Sequence, residues 1–337
     1  MDTFINLDHG SGGLASQHLI GNLFLKYLTN PQLLDLEDCA VLGEHTGRIA
    51  LSTDSYVVDP LFFPGGDIGC LAVHGTINDL AMRGAQPLAL SLALIIEEGF
   101  ALHSLEQVIA SVAAASEAAG VAVVTGDTKV VPKGKADRLF INTSGIGLVS
   151  HRHDISGKKA RPGDAVILSG TLADHGITIM SRQAGIEIDG DIASDTQPLH
   201  RLVDALLAND GGAVHVLRDP TRGGLATSLC EIAAASRVDM VIEEDLLPIK
   251  PAVSIACELI GLDPLYLANE GKCIVVCDRD RAGEMLQTMR RLPEGRDAAL
   301  IGWVGDGRAE GRVSLTTRIG GSRLLEPLTG QPLPRIC

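Results

Sequence analysis

SLEQVIASVAAASEAAGVAVVTGDTK, residues 104–129, holds a helix, its stop signal and a strand in one run. Good helix formers fill Ser104–Ala119, and Leu105, Val108, Ile109 and Val112 recur on one face. Gly120 ends the helix, and Val121–Thr125 then reads as a short buried strand. Helix followed by apolar strand is the grammar of an α/β protein. The run closes on Gly126-Asp127-Thr128-Lys129, a polar group at the end of the predicted strand, where such folds place ligands.

Outward from there the pattern repeats. Leu19–Leu28 and Asp67–Met82 read as helices; Arg48–Thr53, Pro87–Ile96 and Leu139–Val149 read as strands. Composition shifts across His151–Gly163, which marks a domain boundary. Beyond it, strands are expected near Ala165–Leu168, Val238–Glu243, Lys272–Val276 and Ala298–Val304. Helices are expected near Gly176–Ala184, Leu199–Leu207, Leu225–Ala235 and Arg281–Arg290. The expected units are 1–153, 160–328 and a mobile tail, 329–337.

The 337 residues are 45% apolar but only 3% aromatic, so the core rests on Ala, Val, Ile and Leu. The net charge is −14 and no Lys/Arg-rich run occurs, which argues against nucleic acid or an anionic membrane as partner. Met1-Asp2-Thr3 opens no basic and apolar leader, and no run is long enough for a membrane span. The expected setting is the cytoplasm, with reduced thiols. The seven cysteines include no C-x-x-C pair, and Cys273 and Cys277 flank an apolar strand as core thiols. The histidines His74, His103, His175, His200 and His215 are scattered and suggest no zinc site.

Four aspartates of the first half sit among apolar neighbours: Asp38, Asp54, Asp79 and Asp127. One such residue is usually a cap or a turn. Four need a shared reason, because a buried carboxylate is costly unless paired. Asp79 falls late in its helix, where the dipole disfavours an anion. Hard cations answer all four, since Mg²⁺ takes oxygen ligands and bridges carboxylates to phosphates. Neither a P-loop nor G-x-G-x-x-G occurs. The stretch His9-Gly10-Ser11-Gly12-Gly13 offers backbone N–H groups to phosphates instead, or is a floppy terminus.

In the second half, Asp219-Pro220-Thr221-Arg222-Gly223-Gly224 opens a helix whose free N–H groups suit an anion, with Arg222 adding a fork of donors. Glu270, in Ala268-Asn269-Glu270-Gly271-Lys272, is a candidate general base. The sequence ends on Pro332-Leu333-Pro334-Arg335-Ile336-Cys337, an extended run that carries a thiol at its tip. A lipid anchor would need its cysteine four residues from the end.

These motifs, from His9–Gly13 through Asn78-Asp79-Leu80-Ala81-Met82, Gly126–Lys129, Asp219–Gly224 and Ala268–Gly271 to the Pro-Arg-Ile-Cys tail, resemble those of the HypE family of hydrogenase maturation proteins. The internal motifs alone resemble the wider superfamily of aminoimidazole ribonucleotide synthetase and selenophosphate synthetase; the tail selects HypE.

The resemblance implies an α/β ATP-binding domain, an α+β synthetase-like domain and a flexible tail, paired into a homodimer through the first domains. It implies that the carbamoyltransferase HypF loads a carbamoyl group onto Cys337. ATP then drives its dehydration to a thiocyanate, and the cyano group passes to iron on a HypC–HypD complex. On that reading Asp38, Asp54, Asp79 and Asp127 hold Mg²⁺–ATP, with Thr53, Asn78 and Thr128 beside them. His9–Gly13 close over the phosphates, while Asp219, Thr221 and Arg222 line the cleft. Lys129 stabilises the moving phosphoryl group, and Glu270, or else Lys129, removes the proton. Two rivals stand: a small-molecule synthetase of the same superfamily, such as selenophosphate synthetase, and a non-catalytic thiol carrier. The first cysteine, Cys39, lies well past the glycine-rich stretch, against the selenophosphate chemistry. The acidic set argues against a mere carrier.

Overall fold

The computed structural model describes residues 3–11, 14–34, 39–40, 42–186, 192–210, 212–305, 311–329 and 335–337. Gly12, Gly13 and Asp38 lie outside the described residues.

The chain opens on a 3₁₀ turn, Leu7–Gly10. Helix α1 (Leu14–Leu19) runs through a π turn into α2 (Leu25–Tyr27), and α3 (Pro31–Leu34) follows. Strand β1 (Arg48–Tyr56) leads to a small hairpin, β2 (Phe62–Phe63) and β3 (Gly66–Asp67). Helix α4 (Ile68–Ala81), β4 (Ala85–Glu97), α5 (Leu102–Ala119), β5 (Ala122–Val131) and β6 (Leu139–Val149) complete the first unit. Its sheet runs β1-β6-β4-β5, antiparallel except for the β4–β5 pair.

Helix α5 presents Leu105, Val108, Ile109 and Val112 to the core and stops at Gly120, whose φ of 72° suits a residue without a Cβ. Helix α4 is apolar nearly all round, and a helix of that kind must be covered on every side. The sheet covers one flank, α5 another, and the second unit the end nearest Ala81. Asp67 caps the helix, its Oδ1 accepting from the N–H groups of Gly69 (2.7 Å) and Cys70 (3.1 Å).

The second unit contains β7 (Ala165–Leu168), α6 (Asp174–Gln183), α7 (His200–Asp210), β8 (Val214–Arg218), α8 (Gly224–Ser236) and β9 (Met240–Glu243). Then come α9 (Pro251–Ile260), β10 (Ile274–Cys277), α10 (Ala282–Arg290), β11 (Ala299–Val304), β12 (Val313–Thr316) and β13 (Ser322–Leu325). The sheet order is β13-β12-β9-β11-β7-β10-β8. Strand β7 is wholly buried and feeds two cores: Val166 and Leu168 face one, Ala165 and Ile167 the other. Both faces of this sheet are therefore covered at its centre. Cys273 and Cys277 are free, buried thiols, as their apolar flanks suggest.

The two units share core. Ala81 and Met82 of the first pack in a cluster of the second, and Ile179, Ala268 and Ile336 pack in the main cluster of the first. Ile336 is 6% exposed, so the end of the tail is seated in the protein.

The structure corrects two placements. Asp54 and Asp127 stand inside strands rather than beyond them. Strand β1 runs on to Tyr56, with Asp54 opposite Thr143, and β5 runs on to Val131, with Asp127 opposite Ala93. Ladder pairing with β6 and β4 carries both strands past their apolar stretches.

Candidate active site

The cleft between the units collects acids from three directions. Asp54 comes from β1, where its carboxylate accepts from the Ser55 N–H at 2.8 Å. Asp79 comes from the last turn of α4, and the Ser52 hydroxyl donates to it at 2.6 Å. That bond offsets part of the unfavourable helix-end position. Burial, and then the nearby charge of Asp54, still push the Asp79 carboxyl above its ordinary range. Asp219 follows β8. Burial, joined by the charge of Asp79, lifts it to about 6, against an opposing pull from Arg218. Ser52, Asp79, Arg218 and Asp219 line a cavity of about 250 Å³.

Glu270 is more deeply placed than Asp54, Asp79 and Asp219. It is 4% exposed, and its Oε1 has no hydrogen-bond partner. Burial pushes its carboxyl well up, and the charges of Asp195, Asp219, Asp54 and Asp79 add to the effect. Its backbone is clamped from both sides. Asp195, a buried carboxylate, accepts from the N–H groups of Glu270 and Gly271, each at 3.2 Å. Asn78 donates to the Glu270 carbonyl at 3.1 Å. Lys272 pairs with Asp195 at 3.2 Å. Gly271 has no room for a side chain, because a Cβ there would lie 1.9 Å from the Asp195 carbonyl oxygen.

Cys337 lies against this group. Burial and the Glu270 charge push its thiol up to about 12, while the Arg222 guanidinium beside the sulfur pulls the other way. The tail is held by its main chain: Val57 N–H donates to the Cys337 carbonyl and Asp59 N–H to that of Arg335, both at 3.1 Å. Arg335 returns a bond from Nε to the Val57 carbonyl at 2.8 Å and pairs with Asp137. Asn269, fully buried, ties the neighbouring loops by donating to the Pro220 carbonyl and accepting from the Ala173 N–H.

A second site lies across the first sheet. His9 and Gly10 face Gly126, Asp127, Thr128 and Lys129 over a cavity of about 310 Å³ walled by Leu19, Phe24, Leu28 and Leu94. Gly10 rests on β5, where a Cβ would come within 2.6 Å of the Val130 nitrogen. Ser11 is turned to the Asp8 carbonyl at 2.9 Å. Lys129 pairs with Asp127 at 2.9 Å, both well exposed, and this bond holds the Asp127 carboxyl below its ordinary range.

The structure therefore divides the expected set. Asp54, Asp79, Asp219, Arg222, Glu270 and Cys337 meet in the cleft, and Thr221 lies in the same loop as Asp219. Asp127, Thr128 and Lys129 stand on the far edge of the sheet, three strands or roughly 14 Å from β1. Lys129 is thus remote from Cys337 within the chain, whereas Glu270 stands beside the sulfur. Asn78, expected next to the metal, is 1% exposed and spends its amide inside the protein. It donates to Gln197 and Glu270 and accepts from the Leu199 N–H at 2.7 Å, so it positions the Glu270 loop instead. Thr53 faces outward on β1 and bonds to Thr143 and Ser144. Sequence reasoning missed Asp195 and His175, which lie in polar or irregular stretches without a motif. Lys272 and Asn269 stood inside a motif but drew attention only to Glu270.

Two units of this shape meeting at an acidic cleft define a class. Residues 36–149 match the family of AIR synthase related proteins in its N-terminal domain, and residues 161–314 match its C-terminal domain. The chain is 51% identical over 334 residues to the carbamoyl dehydratase HypE of Azotobacter vinelandii, covering 99% of this chain and 97% of that protein. A crystal structure of the hydrogenase maturation protein HypE in complex with ATP superposes with a TM-score of 0.95 at 50% identity, covering 98% and 99% of the two chains. A HypE–HypF complex matches with a TM-score of 0.81 at 48% identity, covering 92% and 99%. The chain belongs to the HypE carbamoyl dehydratase family.

Proposed function

We infer that this protein carries out the ATP-dependent dehydration of a carbamoyl group borne on the Cys337 sulfur, giving a thiocyanate for [NiFe] hydrogenase maturation. The observation that carries the residue assignment is the seating of Cys337 between Glu270 and Arg222 in an acidic cleft. An amide oxygen is a poor leaving group, so it is first phosphorylated by ATP. The two protons then leave nitrogen, the C–O bond breaks, phosphate departs and S–C≡N remains. Glu270 is the proposed proton acceptor. A carboxyl whose proton affinity is raised is a stronger base than a surface glutamate once ionised. Arg222 is the cation placed to meet negative charge developing near the sulfur-bound carbon.

A divalent cation suits the donor set. Asp54, Asp79 and Asp219 are hard oxygen donors whose crowded charges raise one another's proton affinity, and Glu270 keeps an unpartnered oxygen. Those carboxylates would hold Mg²⁺ there, and it would supply positive charge to offset that of the phosphates. The apolar cavity between His9–Gly10 and Gly126–Lys129 suits the nucleotide's base, with Asp127, Thr128 and Lys129 at its rim. We assign HypF as the donor of the carbamoyl group, a HypC–HypD complex as the acceptor of the cyano group, and the cytoplasm as the setting. Pairing of two first units is supported by the uncovered sheet face, where Ile49 and Leu51 are 72% and 75% exposed.

The test is the intact mass of the peptide ending in Cys337. After incubation with HypF, carbamoyl phosphate and ATP it should gain one carbamoyl group, then lose one water only with Mg²⁺–ATP. A carbamoyl adduct that persists would leave a carrier. No adduct would return the small-molecule synthetases.

A further inference from the structure

His175 lies at the start of α6 and is completely buried. Both ring nitrogens are engaged: Nδ1 lies 2.7 Å from the Ser194 hydroxyl, and Nε2 lies 2.7 Å from the Ile336 carbonyl. A carbonyl can only accept, so Nε2 carries the hydrogen, and Nδ1 accepts from Ser194. Ser194 in turn accepts from the Thr196 N–H at 3.2 Å. The ring of Phe63 stands edge-on at 5.6 Å and fixes the imidazole plane. Burial lowers the proton affinity of the ring and keeps this neutral form, against opposing pulls from Asp195 and the Ile336 carbonyl.

Most other bonds to the tail come from the first unit, through Val57, Asp59 and Asp137, and the exposed Gln183 of α6 adds a longer one to the Arg335 carbonyl at 3.4 Å. Glu270 and Arg222 belong to the second. His175 is the buried side chain that ties the peptide next to Cys337 to the unit bearing those two groups. We propose that His175 is a positioning residue for the dehydration: its Nε2–H holds the Ile336 carbonyl and so registers the group on Cys337 against Glu270 and Arg222. The proposal rests on the dehydratase reading for its catalytic consequence, but not for its hold on the tail.

The test compares the native chain with His175→Leu, His175→Gln and Ser194→Ala. Two rates are read on each: alkylation of Cys337 by iodoacetamide, followed on its own peptide, and ATP-dependent loss of water from the HypF-carbamoylated protein. His175→Leu removes the donor. It should alkylate about ten- to a hundredfold faster and dehydrate slower by a similar factor, while carbamoylation is not slowed. His175→Gln keeps an N–H donor near the Nε2 position and should return both rates toward native. Ser194→Ala releases the tautomer and should shift both rates the same way as His175→Leu, by less. Opposite movement of the two rates is what a general packing defect would not produce. Native rates in His175→Leu, or slowing of both rates in the Leu and Gln variants alike, would overturn the proposal. If native protein carbamoylates but loses no water with ATP, the dehydratase reading fails, and the alkylation rates alone decide the role of His175.

Discussion

Asp127 at the sheet edge and the cleft pair Asp79 and Asp219 meet opposite electrostatic fates. At the β5 edge, Asp127 is exposed and paired with Lys129, so its carboxyl is more acidic than usual. In the cleft, Asp79 and Asp219 are half-buried near other acids and hold their protons more tightly. The first arrangement is satisfied as it stands. The second is short of positive charge, and that shortage is the physical mark of a site made for a cation and a charged substrate. Sequence spacing alone gave no way to separate the two.

The sharpest break in this comparison is Glu270→Gln. Water loss from carbamoylated Cys337 should fall by about 10²- to 10⁴-fold, with nucleotide binding retained; single-turnover mass analysis checks it. Native-like dehydration would remove Glu270 as the proton acceptor. Next comes Gly271→Ala. The new Cβ meets backbone 1.9 Å away, so the loop must move; a lower melting temperature together with lost dehydration is expected, read by calorimetry and the mass assay.

Asp219→Asn tests the charge shortage itself. The folded carboxyl titrates at about 6 rather than 3.8, so the folded state binds the proton more tightly than the unfolded one. Its stabilising contribution is whole below 3.8 and is lost as pH rises through 6, at most about 3 kcal/mol. Without divalent ions, Asp219→Asn should therefore lose less stability than the native protein between pH 3.5 and 8 (values chosen about that window), as read by urea denaturation. An equal loss in both would argue that Asp219 is screened. The smallest effect belongs to Lys129→Ala. An exposed pair contributes no more than about 1 kcal/mol, so stability should barely change while ATP binding weakens, measured by titration calorimetry. A large stability loss would mean that the β5 edge carries strain of its own.

Much of the architecture is written in local pattern. The face of α5 and its Gly120 stop stand as expected, and Leu139–Val149 forms β6 over the expected residues. Asp79 showed itself by breaking a helix rule, and Ser52 is part of the answer. Helix α9 is not among the expected helices; Pro251 stands in its first turn, where its missing N–H costs nothing. Strands β12 and β13 are four residues each, too short for period alone to reveal. The cleft's chemistry-bearing residues were legible as motifs. Their supports were not: Asp195 and His175 act through backbone contacts that only the tertiary fold creates, and Asn78, expected beside the metal, turns its amide to backbone groups instead.

The seat of Cys337 also bears on the sulfur's chemical lifetime. A thiol held at about 12 instead of 9.0 is ionised roughly a thousandfold less at neutral pH. Peroxides and disulfides react with thiolate, not thiol. The docked chain therefore holds this sulfur in its protonated, less reactive form, sheltered from oxidation.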